Sequence, residues 1–199
     1  KQITGGLNYE IIVVDSGSVD ATLDIAERYG CKILHIQRED FSFGRSLNIG
    51  CAASTGDILV IVSGHCVPVD EYWLQNLCRP LMNESAGYVY GRQFAGDLSS
   101  YSESRIFSKF YPANSSVPQD GFFCNNANAA ILRTVWDAYR FDEDLTGLED
   151  MELAKRFVLA GGLVGYVADA KVFQTDWSVP VSDYPDYSGK KVDVQLVSW

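Results

Sequence analysis

The sequence lacks any apolar run close to the roughly 20 residues that a membrane-spanning helix needs, and it opens on no basic-then-apolar leader. Its five cysteines lie far apart and form no CxxC pair, which argues against a structural zinc site. Because such thiols are typical of a reducing compartment, we expect a cytoplasmic protein, with peripheral attachment to the inner face of the membrane left open. The chain contains no internal repeat or low-complexity stretch.

Basic residues are also few, since the chain has 16 Lys and Arg against 26 Asp and Glu, which gives a net charge of −10 and a pI near 4.6. Such an acidic chain repels polyanions, so we expect no nucleic-acid partner. Hydrophobic residues make up 47% and charged residues 21% of the 199 positions, a globular profile that argues against disorder. This length suits one ordinary domain with a single sizeable core.

Short β-branched runs alternate with helical patterns in the first half of the chain. Residues 10–15 (E-I-I-V-V-D) predict a strand buried on both faces, residues 19–29 a helix, and residues 31–36 a second strand. This spacing is that of a βαβ unit and favours a parallel sheet. The pattern repeats with a helix at 45–54, a strand at 58–62 and a helix at 70–82.

The predicted elements of the second half are shorter. We expect strands at 87–91, 163–167 and 170–173, with a helix at 151–159. A polar and aromatic flap is predicted at 97–112, a linker at 177–191, and an alternating strand at 192–199.

Polar residues follow two of the predicted strands at their carboxyl ends, where open α/β sheets bind their ligands. Asp15 follows the first strand and can accept hydrogen bonds from a nucleobase or a ribose hydroxyl, with Ser16 and Ser18 beside it. The alternative for Asp15 and Ser18 is to cap the next helix. The turn at 63–65 (S-G-H) follows the third strand and is the second candidate position.

Four motifs occur in order along the chain: D-S-G-S-V-D at 15–20, R-S-L-N-I-G-C-A-A-S-T-G-D-I-L-V-I-V at 45–62, F-F-C-N-N-A-N-A-A-I at 122–131 and F-D-E-D-L-T-G-L-E-D-M-E-L-A-K-R at 141–156. Together they resemble family 2 glycosyltransferases of the GT-A fold. The resemblance implies an α/β, Rossmann-like sheet, mixed but mostly parallel, flanked by helices. It implies one such domain over 1–176, whose usual first strand would precede Lys1.

The resemblance assigns the nucleotide to residues of the first half. Asp15 matches the family's aspartate that holds the base, usually a pyrimidine. Arg45 matches a position that contacts the base or the phosphates, with a surface helix residue as the alternative, and Asn48 is expected to support the loop by hydrogen bonding. The nucleotide-binding residues implied are Asp15, Ser16, Ser18, Arg45, Asn48, Ser63 and Gly64.

The turn at 63–65 departs from the family's D-x-D metal motif. Ser63 replaces the first aspartate, and His65 replaces the second, which is normally the metal ligand. Because imidazole suits Mn²⁺ better than Mg²⁺, a divalent cation at His65 is expected to bind weakly or to need the donor's diphosphate. Gln174 stands where the family often has a further histidine that holds metal and diphosphate. The alternative for His65 is a structural role.

Glu149 and Asp150 match the family's E-D pair, in which the aspartate is the general base. In an inverting transfer the base takes the proton of the acceptor hydroxyl as its oxygen attacks the anomeric carbon. Burial and the neighbouring carboxylate would raise its pKa, and the alternative is an acidic first helical turn that complements the helix dipole. The sugar and acceptor contacts implied are Arg92, Gln93, Asn125, Asn126 and Asn128.

The segment 190–199 (K-K-V-D-V-Q-L-V-S-W) resembles the missing first strand. We expect residues 192–199 to fill that slot, parallel to the strand at 10–15, through circular rearrangement or chain exchange. If this expectation failed, the nucleotide pocket would lack a wall.

The predicted function is the inverting transfer of a sugar from a nucleotide diphosphate sugar to a hydroxyl of a glycan or lipid-linked acceptor, in polysaccharide or glycoconjugate synthesis. A catalytically silent nucleotide-sugar binding module is the alternative that Ser63, His65 and Gln174 favour. A nucleotidyltransferase is a weaker alternative, because no Gly-rich phosphate loop follows the first strand. The sequence gives no indication of oligomeric state.

Overall fold

The computed structural model describes residues 2–95, 110–174 and 194–198, without the side chains of Ala95 and of 194–198. Most of the flap expected at 97–112 and the whole linker expected at 177–191 lie outside the described residues. Within the described ranges, no helix is long and apolar enough to cross a bilayer.

The first half of the chain alternates strands with helices, as the sequence pattern predicts. Its elements are β1 (Ile12–Asp15), α1 (Thr22–Arg28), β2 (Lys32–His35), a 3₁₀ turn (Arg38–Asp40), α2 (Phe43–Ala53) and β3 (Ile58–Ser63). Ser42 caps α2, because its side chain accepts the backbone N–H of Arg45 at 3.2 Å. Gly17 and Gly30 adopt positive φ angles (113° and 67°) in the turns that follow β1 and α1.

The second half completes the sheet and adds three helices. Its elements are β4 (Cys66–Pro68), α3 (Trp73–Met82), β5 (Tyr88–Ala95), β6 (Asn128–Leu132), α4 (Arg133–Tyr139), α5 (Glu149–Leu159), β7 (Val164–Gln174) and β8 (Val194–Ser198). The sequence did not predict β4, β6 and α4. Three residues ending in proline and a single seven-residue helix carry too little periodic pattern, and β6 (N-A-A-I-L) contains two alanines, which are depleted in strands.

One prediction of two closing strands is corrected by the structure, since β7 is a single strand of 11 residues. Its pairing with β5 passes from Gly91 opposite Val167 to Arg92 opposite Lys171, so residues 168–170 form a bulge. The interruption of the apolar pattern at Asp169, which is exposed, is the signal that suggested a break.

The eight described strands form one mixed sheet in the order β2-β1-β8-β3-β6-β5-β7-β4. The pairs β2/β1, β1/β8, β8/β3 and β5/β7 are parallel, and the pairs β3/β6, β6/β5 and β7/β4 are antiparallel. Because the two reversals around β6 cancel, β1, β8, β3, β5 and β7 all run in the same direction. Their carboxyl ends therefore share one edge of the sheet with the amino end of β6.

Strand β8 lies between β1 and β3 and pairs in parallel with both. Gln195 lies opposite both Ile12 and Ile61, and Val197 lies opposite Val14 and Ser63. The segment thus occupies the position beside β1 in which the sequence predicted a strand. Its equivalence to the family's first strand stays a prediction.

Two apolar clusters pack the helices against opposite faces of the sheet. The first joins α2, α4 and α5 around Trp136 and Leu153, and the second lies under α3. Helix α3 buries Trp73, Leu77 and Leu81 at a spacing of four residues, which is the stripe that a helix presents to one partner. Each such side chain contributes about 1.5–3 kcal/mol by its burial. This packing fixes the sheet edge that carries the polar residues described next.

Candidate active site

A cavity of about 290 Å³ opens at the shared edge of the sheet. The end of β3, the amino end of β6, the ends of β5 and β7, and the start of α5 converge there, as the strand directions require. Its lining residues are Phe43, Leu47, Ile61, Val62, Ser63, His65, Gln93, Asn125, Asn126, Ala127, Gly147, Leu148, Glu149, Asp150 and Gln174.

One wall of the cavity is a hydrogen-bonded chain of three side chains. His65 lies between Ser63, whose Oγ is 2.8 Å from Nδ1, and Gln174, whose side-chain nitrogen is 2.9 Å from Nε2. Burial lowers the pKa of His65, which favours the neutral imidazole. Strand pairing brings these three side chains together, because β4 and β7 run antiparallel with Cys66, the neighbour of His65, directly opposite Gln174.

A second wall is made of side-chain amides. Gln93 on β5 donates from Nε2 to Oδ1 of Asn125 at 3.0 Å, and the same oxygen accepts the backbone N–H of Ala127 at 2.9 Å. These bonds fix the orientation of the Asn125 amide, which lines the cavity, and its contact with a sugar stays a prediction.

The carboxylates of Glu149 and Asp150 face the cavity from the first turn of α5. Oδ2 of Asp150 accepts the backbone N–H of Asn126 at 3.0 Å, and Oδ1 accepts that of Met151 at 2.7 Å. Burial raises the pKa of Asp150, although these N–H bonds oppose the rise. Burial, followed by the charge of Asp150, raises the pKa of Glu149 to about 6. The pair therefore combines an oriented carboxylate with one that titrates near neutrality.

Asn126 connects the catalytic candidates to the core. Its side-chain nitrogen lies 3.4 Å from Oε1 of Glu149, and its Oδ1 accepts the hydroxyl of Tyr88 at 2.6 Å. Tyr88 is fully buried on β5. Because the backbone of Asn126 also holds Asp150, this one residue positions both carboxylates.

The structure places Asp15 at the same sheet edge but outside the described cavity. It ends β1, two strand spacings or about 10 Å from the end of β3. Asp15 as a residue is 2% exposed, and its carboxylate oxygens accept the backbone N–H groups of Gly17 and Ser18 at 3.0–3.1 Å. Nδ1 of His35 lies 3.7 Å from Oδ2. These bonds close the turn directly after β1 and do not cap α1, which begins at Thr22 with no side-chain cap, so the capping alternative is wrong. Ser16 and Ser18 lie in the same turn, outside the cavity.

Arg45 and Asn48 do not line the cavity, because both hold α2 against the segment that follows α4. The Arg45 guanidinium donates to Oε2 of Glu143 at 3.1 Å. Asn48 donates to the carbonyl of Phe141 at 2.9 Å and accepts the indole N–H of Trp136 at 3.1 Å. These contacts agree with the loop-supporting role expected of Asn48, and nucleotide contacts by either residue stay predictions.

Two residues predicted to contact the sugar, Asn128 and Arg92, do not line the cavity either. Asn128 is completely buried, accepts the indole N–H of Trp73 at 2.9 Å and donates to the carbonyl of Ala170 at 2.9 Å. The Arg92 guanidinium stacks over the ring of Phe94, 4.5 Å from its centroid. Gly64 is exposed in the turn between Ser63 and His65 and does not line the cavity.

Sequence reasoning missed the apolar wall of the cavity. Phe43 and Leu47 reach it from successive turns of α2, a spacing of four residues that reads as an ordinary core stripe. Leu148 is 69% exposed with a positive φ of 65°, directly before Glu149. Its place beside the E-D pair was the signal that could have identified it.

The donor set at the turn does not fit a cation held by the protein. Mn²⁺ and Mg²⁺ favour carboxylate and carbonyl oxygens, whereas this turn offers one imidazole and one hydroxyl. Both imidazole nitrogens already lie within hydrogen-bond distance of a side chain. No group of three His, Cys, Asp or Glu that could hold a metal occurs in the part of the chain that the structure describes.

The mixed sheet flanked by helices, with a cavity at the shared carboxyl edge and a carboxylate pair at a helix start, agrees with the GT-A fold of glycosyltransferases that the sequence motifs imply. The family model for glycosyl transferase family 2 matches residues 1–140, and the chain belongs to this family.

Curated relatives and solved structures extend this assignment. The chain is 27% identical over 191 residues to the O-antigen chain rhamnosyltransferase WbaN of Salmonella anatum, covering 89% of this chain and 60% of that protein. It is 26% identical over 190 residues to the O-antigen chain rhamnosyltransferase RfbN of Salmonella typhimurium, with the same coverage. The chain therefore spans about 60% of the length of these relatives.

Two solved structures share the fold at low sequence identity. The mannosyltransferase PcManGT of Pyrobaculum calidifontis, in complex with GDP-Man and Mn²⁺, superposes with a TM-score of 0.66 at 21% identity, covering 88% of this chain and 49% of that one. S. aureus TarS 1-349 in complex with UDP superposes with a TM-score of 0.63 at 14% identity, covering 84% and 51%.

Proposed function

We propose that this chain is the donor-binding and catalytic part of an inverting glycosyltransferase that moves a sugar from a nucleotide diphosphate sugar to an acceptor hydroxyl. The observation that carries the proposal is the convergence of the Ser63–His65 turn and the Glu149–Asp150 pair on one cavity. A leaving diphosphate and an entering hydroxyl need partners at one reacting centre, and separate surfaces could not supply them.

Asp150 is the proposed general base. Its carboxylate is buried and is oriented by two backbone N–H groups, so that it can meet an acceptor hydroxyl in a fixed direction. It takes the hydroxyl proton while the acceptor oxygen forms its bond to the anomeric carbon and the bond to the diphosphate oxygen breaks. Because attack occurs opposite the leaving group, the anomeric configuration inverts.

Glu149 is proposed to work as a partner of this base. With a pKa near 6 it changes charge in the range where Asp150 must stay ionised. A protonated Glu149 leaves Asp150 beside a neutral group, whereas an ionised Glu149 adds repulsion that favours proton uptake by Asp150 from the acceptor. The pair would then set the acidic limb of the activity profile.

The amide wall is the proposed sugar-binding surface. Gln93, Asn125 and Asn126 present donors and acceptors of the kind that sugar hydroxyls need. Asp15, with Ser16 and Ser18, is proposed to bind the base at the same sheet edge. We propose further that β8 supplies the wall between this base site and β3, as the first strand of the domain, because it pairs with β1 and β3 in parallel.

The biological setting is proposed from the relatives. Both Salmonella proteins are described as O-antigen chain rhamnosyltransferases, so a deoxysugar donor and a glycan acceptor in polysaccharide synthesis are the first choice. A lipid-linked form of the acceptor would bring the protein to the inner face of the membrane.

A divalent cation enters this proposal only as an ion carried by the donor's diphosphate, with His65 as its single protein contact. Mn²⁺ accompanies the donor in the PcManGT structure, which supports this version for the fold. The donor set around His65 weighs against it here, and no step above depends on the ion.

The test measures release of nucleoside diphosphate from UDP-, GDP- and dTDP-sugars, including a rhamnosyl donor. We expect Asp150→Asn to lower kcat by about 100-fold or more while the donor Kd changes less than about threefold. The control is Asp169→Asn, which makes the same change at an exposed carboxylate on β7. Equal turnover by Asp150→Asn and wild type would refute the assignment. Binding without turnover in the wild type would favour the silent binding module, the alternative that the missing D-x-D carboxylates support.

A further inference from the structure

Ser63 and Gln174 form hydrogen bonds with both imidazole nitrogens of His65, whichever way the glutamine amide is oriented. With the Gln174 nitrogen next to Nε2 at 2.9 Å, its N–H donates to Nε2, and Nδ1–H donates to Ser63 Oγ at 2.8 Å. With the amide turned over, Nε2–H donates to the amide oxygen and the Ser63 hydroxyl donates to Nδ1. In both arrangements the imidazole is neutral and is held on two sides.

Strand pairing makes this arrangement rigid. Ser63 ends β3 and its backbone N–H donates to the carbonyl of Ala127 at 3.1 Å. His65 directly precedes β4, and the β4–β7 ladder sets Cys66 opposite Gln174. The three side chains are therefore fixed by ladders on two sides, and a cation could reach Nε2 only by displacing Gln174.

Neutral donors of this kind bind phosphate without a metal. With the Gln174 nitrogen next to Nε2, as the structure places it, His65 uses one of the two amide hydrogens, and the Ser63 hydroxyl accepts from His65 and can donate to a further oxygen. Phosphates in many proteins are held by neutral N–H groups. The wall that the family fills with cation-binding carboxylates is occupied here by groups that can donate hydrogen bonds to the same oxygens.

We infer that this chain binds the diphosphate of its donor directly through Ser63 and Gln174, which His65 holds in position, without a divalent cation held by the protein. The inference rests on the proposed function, because it concerns the same donor site. It predicts a chelator-tolerant enzyme in a fold whose relatives have been crystallised with Mn²⁺.

The test measures the binding of UDP, GDP and dTDP to the protein by calorimetry, once in EDTA and once in Mn²⁺. We expect the Kd of the preferred nucleotide to change less than threefold between the two conditions. Gln174→Ala is expected to weaken binding in EDTA by about fivefold or more, since it removes an amide donor. The matched control is Gln37→Ala, which truncates an exposed glutamine outside the cavity and leaves the Kd unchanged.

A gain of cation dependence provides the converse test. The double variant Ser63→Asp/His65→Asp restores two carboxylates at the turn, so its nucleotide Kd is expected to improve at least tenfold on addition of Mn²⁺. If this variant fails to fold, His65→Asn takes its place, with weakened binding that Mn²⁺ does not rescue.

The outcomes separate the two proposals. Binding by the wild type only in Mn²⁺, with a change of tenfold or more, overturns the inference and leaves the proposed transfer reaction intact. Binding of none of the three nucleotides in either condition overturns both. Equal binding in EDTA and Mn²⁺, together with loss in Gln174→Ala, supports the inference, and the turnover of Asp150→Asn against wild type decides the transfer reaction.

Discussion

Replacing Glu149 by glutamine should stabilise the folded protein at alkaline pH. The Glu149 side chain is buried beside Asp150, and burial is the main cause that raises its pKa from 4.5 to about 6. A raised carboxyl pKa means that the folded state holds the proton more tightly than the unfolded chain does. The ionised side chain therefore destabilises the fold, increasingly as the pH rises from about 4.5 to 6, and the penalty is constant above that window.

The size of the effect follows from the pKa difference. A rise of about 1.5 units corresponds to about 2 kcal/mol of unfolding free energy at pH 8. At pH 5 the same group costs less than about 1 kcal/mol, because much of it is protonated in the folded state. Glutamine keeps an acceptor for the Asn126 amide, which lies 3.4 Å from Oε1, so the neighbouring hydrogen bond is not the quantity that changes.

Urea unfolding of the wild type and of Glu149→Gln at pH 5 and pH 8 measures this difference. The matched control is Glu152→Gln, about one helical turn after Glu149 on α5. The Glu152 carboxylate pairs with Arg156, so its replacement should not stabilise the protein at pH 8. A variant that is no more stable than wild type at pH 8, or whose advantage is the same at both pH values, would refute the reasoning.

The remaining predictions concern the pH profile and two packing contacts. The value of kcat/KM should fall as the pH drops below about 6, because the Glu149–Asp150 pair takes up protons. The midpoint of this fall should shift in Glu149→Gln, and a kcat/KM that stays constant down to pH 5 would contradict the prediction. Gly44→Ala should lower the unfolding free energy by about 2 kcal/mol in urea titrations, because its Cβ would clash with the backbone carbonyl of Asp142, while Gly147→Ala, with open space, should not. Asn48→Ala should lower the unfolding free energy by at least about 2 kcal/mol in the same titrations and leave the nucleotide Kd within twofold. A weaker nucleotide Kd with unchanged stability would instead place Asn48 in the donor site.

The sheet was predictable from the sequence where its strands are apolar on both faces. The runs that became β1 and β3 are continuous β-branched segments, and such segments have few other places to be buried. The strand direction then follows from the βαβ connection, so the positions of Asp15 and Ser63 at one edge were also predictable. The C-terminal strand needed the resemblance, because its alternating pattern alone does not define a neighbour.

The rest of the site depends on contacts between distant segments, which single-sequence patterns do not encode. Arg45 looks like an ordinary phosphate ligand until Glu143, 98 positions later, is found at its guanidinium. Asn128 has the same chemistry as Asn125 and Asn126 in the sequence, yet it is turned into the core towards Trp73. The backbone N–H of Asn126 that orients Asp150 is likewise a tertiary contact with no sequence signal.

The most direct measurement is a crystal structure of the protein with an unreactive nucleotide diphosphate sugar. The diphosphate oxygens should lie within hydrogen-bond distance of Ser63 and Gln174, and the anomeric carbon should face the carboxylate of Asp150. A donor that occupies another surface, or a diphosphate that points away from the turn at 63–65, would contradict the proposed reaction at this cavity.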